Sequence, residues 1–420
     1  MSAGLTQSEL AGDRFSKEYI SQIERGKTRP TRETTAWLAA RLGVEVEFLQ
    51  SGVSSEERDR AEAVIARGEA HLSRREYAAA VMAFQEAAGA VAAASATDLR
   101  VQALAGEAWA HMQSGDVREA LALLGEARTL AEGPEFDDVD RADVLFRLGV
   151  ARYLLSSIAT AQTLLGEALT LAERSELTSD LLRSRILLWR SRCHRRQRDF
   201  EGAREDVERA LELAESQRDP RVLGEAYFQA SLVAERDGRW VRARSYAERA
   251  KERYEELDDA LNVGRLLNNL GNLDFLLGHA DTAVERLGQA LAVATSLGST
   301  DEEAIAVSSL AQVHLRTGEI DAAEQEARRA LALLGDREDR LDEIGNARLV
   351  LGRSLLEQER YDEARVAFGD AEDAFARLSS GSHKAAVWVA QGDLAAKLGD
   401  TAEAAALYRH AAETLQDFRF

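Results

Sequence analysis

A chain of 420 residues with one cysteine, Cys193, has no disulfide framework, and its three prolines, Pro30, Pro134 and Pro220, leave long stretches open to helix. Charged residues make up 30% of it, which suits solvated outer helix faces, and the net charge of −20 at pH 7 sets most of its surface against DNA. No run of about 20 apolar residues and no basic-apolar leader occurs, so a soluble, cytoplasmic protein with no membrane partner is expected.

Residues 5 to 30, LTQSELAGDRFSKEYISQIERGKTRP, come first and read as two short helices joined by a tight turn. Thr6 with Glu9 forms a capping box for a helix whose apolar face is Leu5, Leu10 and Ala11. Gly12-Asp13-Arg14 breaks that helix, and Ser16 caps a second one that buries Phe15, Ile20 and Ile23. Gly26 is placed as its left-handed stop, and Lys27-Thr28-Arg29-Pro30 forms the exit. Lys17, Glu18, Tyr19 and Gln22 are left facing outward, which is the outline of a DNA-reading helix-turn-helix. Residues 1–50 hold seven basic and seven acidic residues, so the whole net charge of −20 falls on the remainder. Any nucleic-acid contact therefore has to come through this head, where Lys17, Arg25, Lys27, Arg29 and Arg32 cluster.

From about residue 55 a second pattern takes over. Alanines recur at 80, 120, 161, 203, 243, 283, 323, 364 and 404, spaced 40 to 42 residues apart, each followed seven residues later by another alanine. Twelve residues before each stands a small residue: Gly68, Ala108, Gly149, Ser191, Ser231, Gly271, Ala311, Gly352 or Gly392. Small residues on facing helices let the axes approach closely, so each copy is a helix hairpin. The expected fold is all-α, with a head over residues 1–52 and one long superhelix of about nine hairpins over residues 53–420.

Enzymatic readings find no support. Gly26-Lys27-Thr28 imitates the end of a phosphate loop, but residue 21 is Ser and no strand precedes it. His71, His111, His194 and His314 recur at one point of four repeats, which marks packing rather than catalysis, and Cys193 beside that point is expected to be buried and inert. No metal-binding, nucleophile or cofactor pattern is present.

The segments GHADTAVERLGQAL and LGDTAEAAALYRHAAETL make the region from about 60 to 418 resemble the tetratricopeptide repeat, with a period longer than the usual 34 and hence longer hairpins. A superhelix of that kind presents the first helix of each hairpin on its concave side. Groove candidates then stand 18, 15, 11 and 8 residues before each second-helix alanine, a spacing that keeps them on one stripe. That stripe contains Trp109, Arg192, Arg195, Phe228, Arg265, Asn268, Asn272, Phe275, Gln312, Asn346 and Arg353. Carboxamides offer a donor and an acceptor to an extended peptide backbone, and arginines can take a peptide carboxylate bidentately.

LTQSELA, then SKEYISQIERGKTRP and TTAWLAARLGVEVEFL, make residues 4 to about 52 similar to the phage-repressor-like (Xre/Cro) helix-turn-helix family. By that likeness Gln7 touches a phosphate or an outer base, Lys17, Glu18 and Gln22 meet base edges, Tyr19 meets a thymine methyl, and Ser16, Lys27 and Arg29 hold the DNA backbone. Family members begin with one more helix, where only Met1–Gly4 stand here, so the head is expected to lack a wall of its core. The turn at Gly12-Asp13-Arg14 is one residue short, with Phe15 taking the apolar turn position. A helix-turn-helix head fused to such repeats also resembles the bacterial peptide-sensing (quorum-sensing) regulators. In those, groove asparagines grip a short signal peptide, a role that carries over to Asn268 and Asn272. The expected partners are double-stranded operator DNA, a peptide or protein effector in the groove, and a second copy in a homodimer joined through the last repeats near Phe418 and Phe420. The competing reading is a scaffold for protein partners whose head no longer binds DNA.

Overall fold

The computed structural model describes residues 5–25, 27–28, 30–51, 54–91, 96–177, 179–217, 219–378 and 381–416. Among these residues the chain forms 22 α-helices and one 3-10 turn, with no strand. It divides into two compact units, Met1–Asp199 and Phe200–Phe420, whereas the sequence pattern changes at 52/53.

The first unit opens with four short helices, α1 (Gln7–Ala11), α2 (Lys17–Glu24), α3 (Arg32–Leu42) and α4 (Val46–Ser51). Leu10, Ala11, Ile20 and Leu38 are buried between them, with Phe15, Ile23, Trp37, Leu42 and Leu49 packed around. The capping box is formed: the Thr6 amide donates to Glu9 Oε2 at 2.7 Å and the Glu9 amide donates to Thr6 Oγ1 at 3.3 Å. Donation from the Thr6 amide and from the Thr6 hydroxyl holds the Glu9 carboxyl below its ordinary range. Ser16 caps α2 by accepting from the Tyr19 amide at 3.1 Å. Leu5 departs from the expected apolar face. It stands before the cap rather than on the helix, and it is 43% exposed. Gly12 turns the chain at φ +54°, tight against the Arg41 guanidinium, whose Nε–H donates to Glu9 O at 2.9 Å. Phe15 fills the turn against Trp37, ring centroids 5.1 Å apart. The expected stop at Gly26 lies outside the described residues.

Hairpins follow in pairs of a first (A) and a second (B) helix: α5 (Ser55–Ser73) with α6 (Tyr77–Val91), α7 (Thr97–Ser114) with α8 (Val117–Leu130), and α9 (Asp138–Leu154) with α10 (Ile158–Arg174). Helix α11 (Asp180–Arg196) closes the unit, with Cys193 buried on it. The second unit begins with α12 (Phe200–Gln217) and continues as α13 (Pro220–Arg236) with α14 (Trp240–Glu256), α15 (Ala260–Leu276) with α16 (Ala280–Ser296), and α17 (Thr300–Thr317) with α18 (Ile320–Leu334). A 3-10 turn at Glu338–Arg340 precedes α19 (Leu341–Glu357) with α20 (Tyr361–Arg377), and α21 (Gly381–Lys397) with α22 (Thr401–Gln416) end it.

The repeating small residues have a specific partner. A Cβ placed on Gly68, Gly149, Gly271 or Gly352 would come within 2.8, 2.8, 2.7 or 2.5 Å of Phe84, Leu165, Leu287 or Phe368. Each of these stands four residues after the B-helix alanine, and each is at most 1% exposed. The B helix thus sends one large side chain into the notch that the A helix leaves. Successive A helices also meet one another, α5 with α7, α7 with α9 and α9 with α11 in the first unit, and α15, α17, α19 and α21 in series in the second. Successive B helices make no comparable approach among the described residues, so in each unit the A helices form the inner side of the stack.

The regular histidines serve the A-to-B turns. The amides of Glu76, Asp116, Asp199 and Glu319 donate to the carbonyls of His71, His111, His194 and His314 at 2.8–2.9 Å. His71 and His194 then meet the acid of the same turn, Nδ1 to carboxylate at 2.5 and 2.6 Å.

Candidate functional site

On the head, the side chains of Lys17, Glu18 and Lys27 are exposed. The other predicted DNA contacts are engaged within the domain. Gln7 donates to Glu24 Oε2 at 2.5 Å, tying α1 to the end of α2. Gln22 is exposed but accepts from the Thr28 hydroxyl at 3.1 Å. Tyr19 is half-buried with its ring 5.4 Å from that of Phe15, and the Ser16 hydroxyl is used by its cap. Arg29 lies outside the described residues, as do Phe418 and Phe420.

In the first unit Trp109 lines a cavity of about 390 Å³ between α5, α7, α9 and α11. Its ring stacks on Phe146 at 6.0 Å and carries the guanidinium carbons of Arg147 and Arg185 at 5.5 and 5.3 Å. Arg192 and Arg195 lie outside that lining, Arg192 over the Trp189 ring at 4.1 Å and Arg195 half-buried on the same helix. Five carboxylates, Glu69, Asp98, Glu135, Asp140 and Asp143, share the wall with Arg147 and Arg185.

The second unit separates the remaining candidates into two groups. Phe228 is half-buried on α13, while Arg265 is committed to Glu302 of α17, its Nε–H donating at 2.7 Å. Asn272 donates to Ser309 Oγ at 3.5 Å, and Phe275 packs against the cluster of Leu287, Leu310 and Val313. Asn268 is half-buried with its Oδ1 shielded and without a partner. The carboxamide built into the framework is its neighbour Asn269, which accepts from Ser231 Oγ at 3.0 Å and donates to Glu235 Oε2 at 3.2 Å.

Gln312, Asn346 and Arg353 form the other group. They come together from α17 and α19 in the wall of a cavity of about 1030 Å³, which α21 and α22 complete. Leu315, Leu349 and Val350 give that wall its apolar part. The side-chain amides of Gln312 and Asn346 hydrogen-bond to no described residue, and the shielded Nε–H of Arg353 is likewise without a partner. The lining residues not singled out from the sequence include Asp393 and Lys397 on α21 and Tyr408 on α22. Asp393 was findable, because it holds in the ninth repeat the place that Arg353 holds in the eighth. Tyr408 donates its hydroxyl to Asp393 Oδ1 at 2.7 Å, and this bond to a carboxylate raises the phenol above its ordinary range. The wall thus joins the apolar strip to convergent polar and charged groups, some of them unused. Among the described residues no group of three or more His, Cys, Asp and Glu is placed to hold a metal ion, and no helix is long and apolar enough to cross a membrane.

Tetratricopeptide-repeat family models match residues 222–296, 266–336 and 346–417, so the second unit carries repeats of that class. No curated protein matches the chain. Among solved structures it is similar to the quorum sensor NprR from B. thuringiensis in its apo form, at 14% identity over 85% of this chain and 99% of that one, with a TM-score of 0.62. It is similar also to a Rap protein complexed with competence and sporulation factor, at 16% identity over 86% and 98% of the two chains, TM-score 0.60. Aspartyl phosphate phosphatase F from Bacillus subtilis aligns at 13% identity over 89% and 94%, TM-score 0.53. These likenesses establish an all-helical repeat fold shared with them.

Proposed function

We propose that this chain is a bacterial, cytoplasmic transcription regulator in which the helix-turn-helix head of residues 1–52 reads operator DNA and the repeats of residues 53–420 bind a peptide or protein effector. The observation that carries the effector half is the large inner cavity, where Gln312, Asn346 and Arg353 converge with unused hydrogen-bonding groups. The fold shared with a quorum sensor and with a Rap protein bound to a competence and sporulation factor supports the same reading. For the head, support comes from the exposed Lys17, Glu18 and Lys27 on and just after a well-capped second helix. An effector alters DNA affinity only if it prefers one arrangement of the A helices over another. Two heads in a homodimer on a palindromic site supply the affinity that one small head lacks.

Fluorescence-anisotropy titrations of the full chain, and of a Lys17→Ala/Gln22→Ala variant, against its own promoter and a scrambled duplex at several salt concentrations test the DNA half. Preference for the promoter, abolished in the variant, is the expected result. Equal or absent binding would move the reading to a protein scaffold with an inactive head.

A further inference from the structure

The cavity of the first unit has a charge balance opposite to that of the large one in the second. There Arg316, Arg353 and Lys397 outnumber Glu357 and Asp393, whereas here five carboxylates face two guanidiniums. Both guanidiniums are already placed: Arg147 donates to Asp143 Oδ2 at 2.7 Å, and with Arg185 it sits over the Trp109 ring. Asp98 is bonded to Arg58, which lies outside the wall. The carboxylates of Glu69 and Glu135 make no hydrogen bond or ion pair with any described residue. Asp140 accepts from the Asp137 amide at 3.2 Å and meets no cation among the described residues. Burial, with Asp137, Asp143 and Asp98 nearby, pushes the Asp140 carboxyl above its ordinary range. Once Asp98 is matched, the wall keeps two formal negative charges. They are not gathered at one point, since among the described residues no three such groups are placed to hold a metal ion. They are spread around an apolar and aromatic lining that includes Leu72, Phe84, Val101, Phe136 and Val144.

We infer that this cavity binds an elongated aliphatic dication of the diamine or short-polyamine class, one ammonium held by Asp140 and Glu135, the other by Glu69, and the methylene chain lying along the apolar lining. The site is separate from the effector cavity and does not depend on the reading given to it. Asp140 stands 21 residues before its second-helix alanine, Ala161, and Glu69 stands 11 before Ala80. In the frame of the repeat the two levels therefore differ by ten positions, a rise of roughly 15 Å. A charge-assisted contact of about 2.8 Å at each end leaves roughly 9–10 Å between the nitrogens, the span of hexamethylenediamine and beyond that of putrescine. Glu69 holds in the first repeat the place that Trp109 holds in the second, so the second ammonium reaches the level of a ring that already carries two guanidiniums. A cavity of about 390 Å³ takes a ligand of this size. A ligand with a charge at each end matches the two negative charges of the wall, while a single small ion would meet one end and leave the apolar strip empty.

Isothermal titration calorimetry of the full-length chain with hexamethylenediamine, putrescine, hexylamine and magnesium chloride, at low and at physiological ionic strength, tests the assignment. The expected result is a single site for hexamethylenediamine that persists at physiological ionic strength, about tenfold tighter than for hexylamine and tighter than for putrescine. The Glu69→Gln/Asp140→Asn chain, its helix content verified by circular dichroism, should bind the diamine at least about tenfold more weakly. Asp140 also belongs to the cap of α9, so Glu69→Gln alone, at an exposed position, provides a second variant that should weaken binding in the same direction. Glu357→Gln removes a carboxylate from the cavity of the second unit and should leave the affinity unchanged. Magnesium binding as tight as the diamine's, or an equal loss in Glu357→Gln, overturns the site and leaves only counterion attraction to a chain of net charge −20. Hexylamine binding as tight as the diamine's overturns the two-ended arrangement, and absence of diamine binding overturns the inference altogether.

Discussion

Replacing Gly352 by alanine tests the rule that builds the repeats. In a free helix this change stabilises by about 1 kcal/mol, because alanine loses less backbone entropy on folding. Here the new Cβ would lie 2.5 Å from both Cδ1 and Cε1 of Phe368, whose side chain is 0% exposed and has nowhere to retreat. Overpacking of that kind costs about 1–3 kcal/mol, so the net effect is neutral to destabilising by as much as about 2 kcal/mol. The same substitution at Gly369 on α20, where a Cβ meets nothing within 4 Å, should stabilise by about 1 kcal/mol. Truncating the ring resolves the conflict. Phe368→Ala alone should cost about 3–5 kcal/mol, and in that background Gly352→Ala becomes stabilising, which gives a coupling of about 1–3 kcal/mol. Urea unfolding of the four proteins, followed by far-ultraviolet circular dichroism, measures the cycle. Gly352→Ala that stabilises as much as Gly369→Ala, or effects that simply add, would refute the notch as the basis of hairpin closure.

Asp274, 0% exposed, is clamped by Arg244 Nε at 2.8 Å and Arg286 Nε at 2.9 Å from the two flanking B helices. Asp274→Ala leaves two cations facing each other and should cost about 3–5 kcal/mol in urea unfolding, with a loss under about 1 kcal/mol counting against the clamp. Glu343, at the start of α19, has its carboxyl pushed up to about 7, chiefly by burial and further by Asp342, despite Arg340 at 3.4 Å. A folded value above the unfolded one means that the folded chain keeps a proton which the unfolded chain releases between about pH 4.5 and 7, so stability falls as pH rises through that window. Glu343→Gln should therefore stabilise by about 1–2 kcal/mol at pH 8 and make no difference at pH 4, a contrast that thermal melts at the two pH values will show or deny.

The local and the periodic features of this protein are legible in its sequence. Thr6 with Glu9, and Ser16 with the Tyr19 amide, lie three residues apart, so residue type alone brings donor and acceptor within reach. The alanine period marks the hairpins because a 40-residue unit repeats the same packing requirement at each turn of the stack, and only small residues satisfy it. Even the stripe that lines the large cavity follows from spacing, since positions on one helix are fixed by 3.6 residues per turn.

What each of those side chains touches was decided by the tertiary structure. Asn268 and Asn269 differ by one position, about 100° around the helix, and the placement of α13 beside α15 makes the second the buried link to Ser231 and Glu235. Arg265 meets Glu302 from 37 residues away, and Asn272 likewise meets Ser309, so neither keeps its end free, whereas Arg353 on the same stripe finds no partner. Periodicity assigns a residue to a face. Whether its charge is spent or left available depends on the offset of the neighbouring helix, which only the packed structure sets.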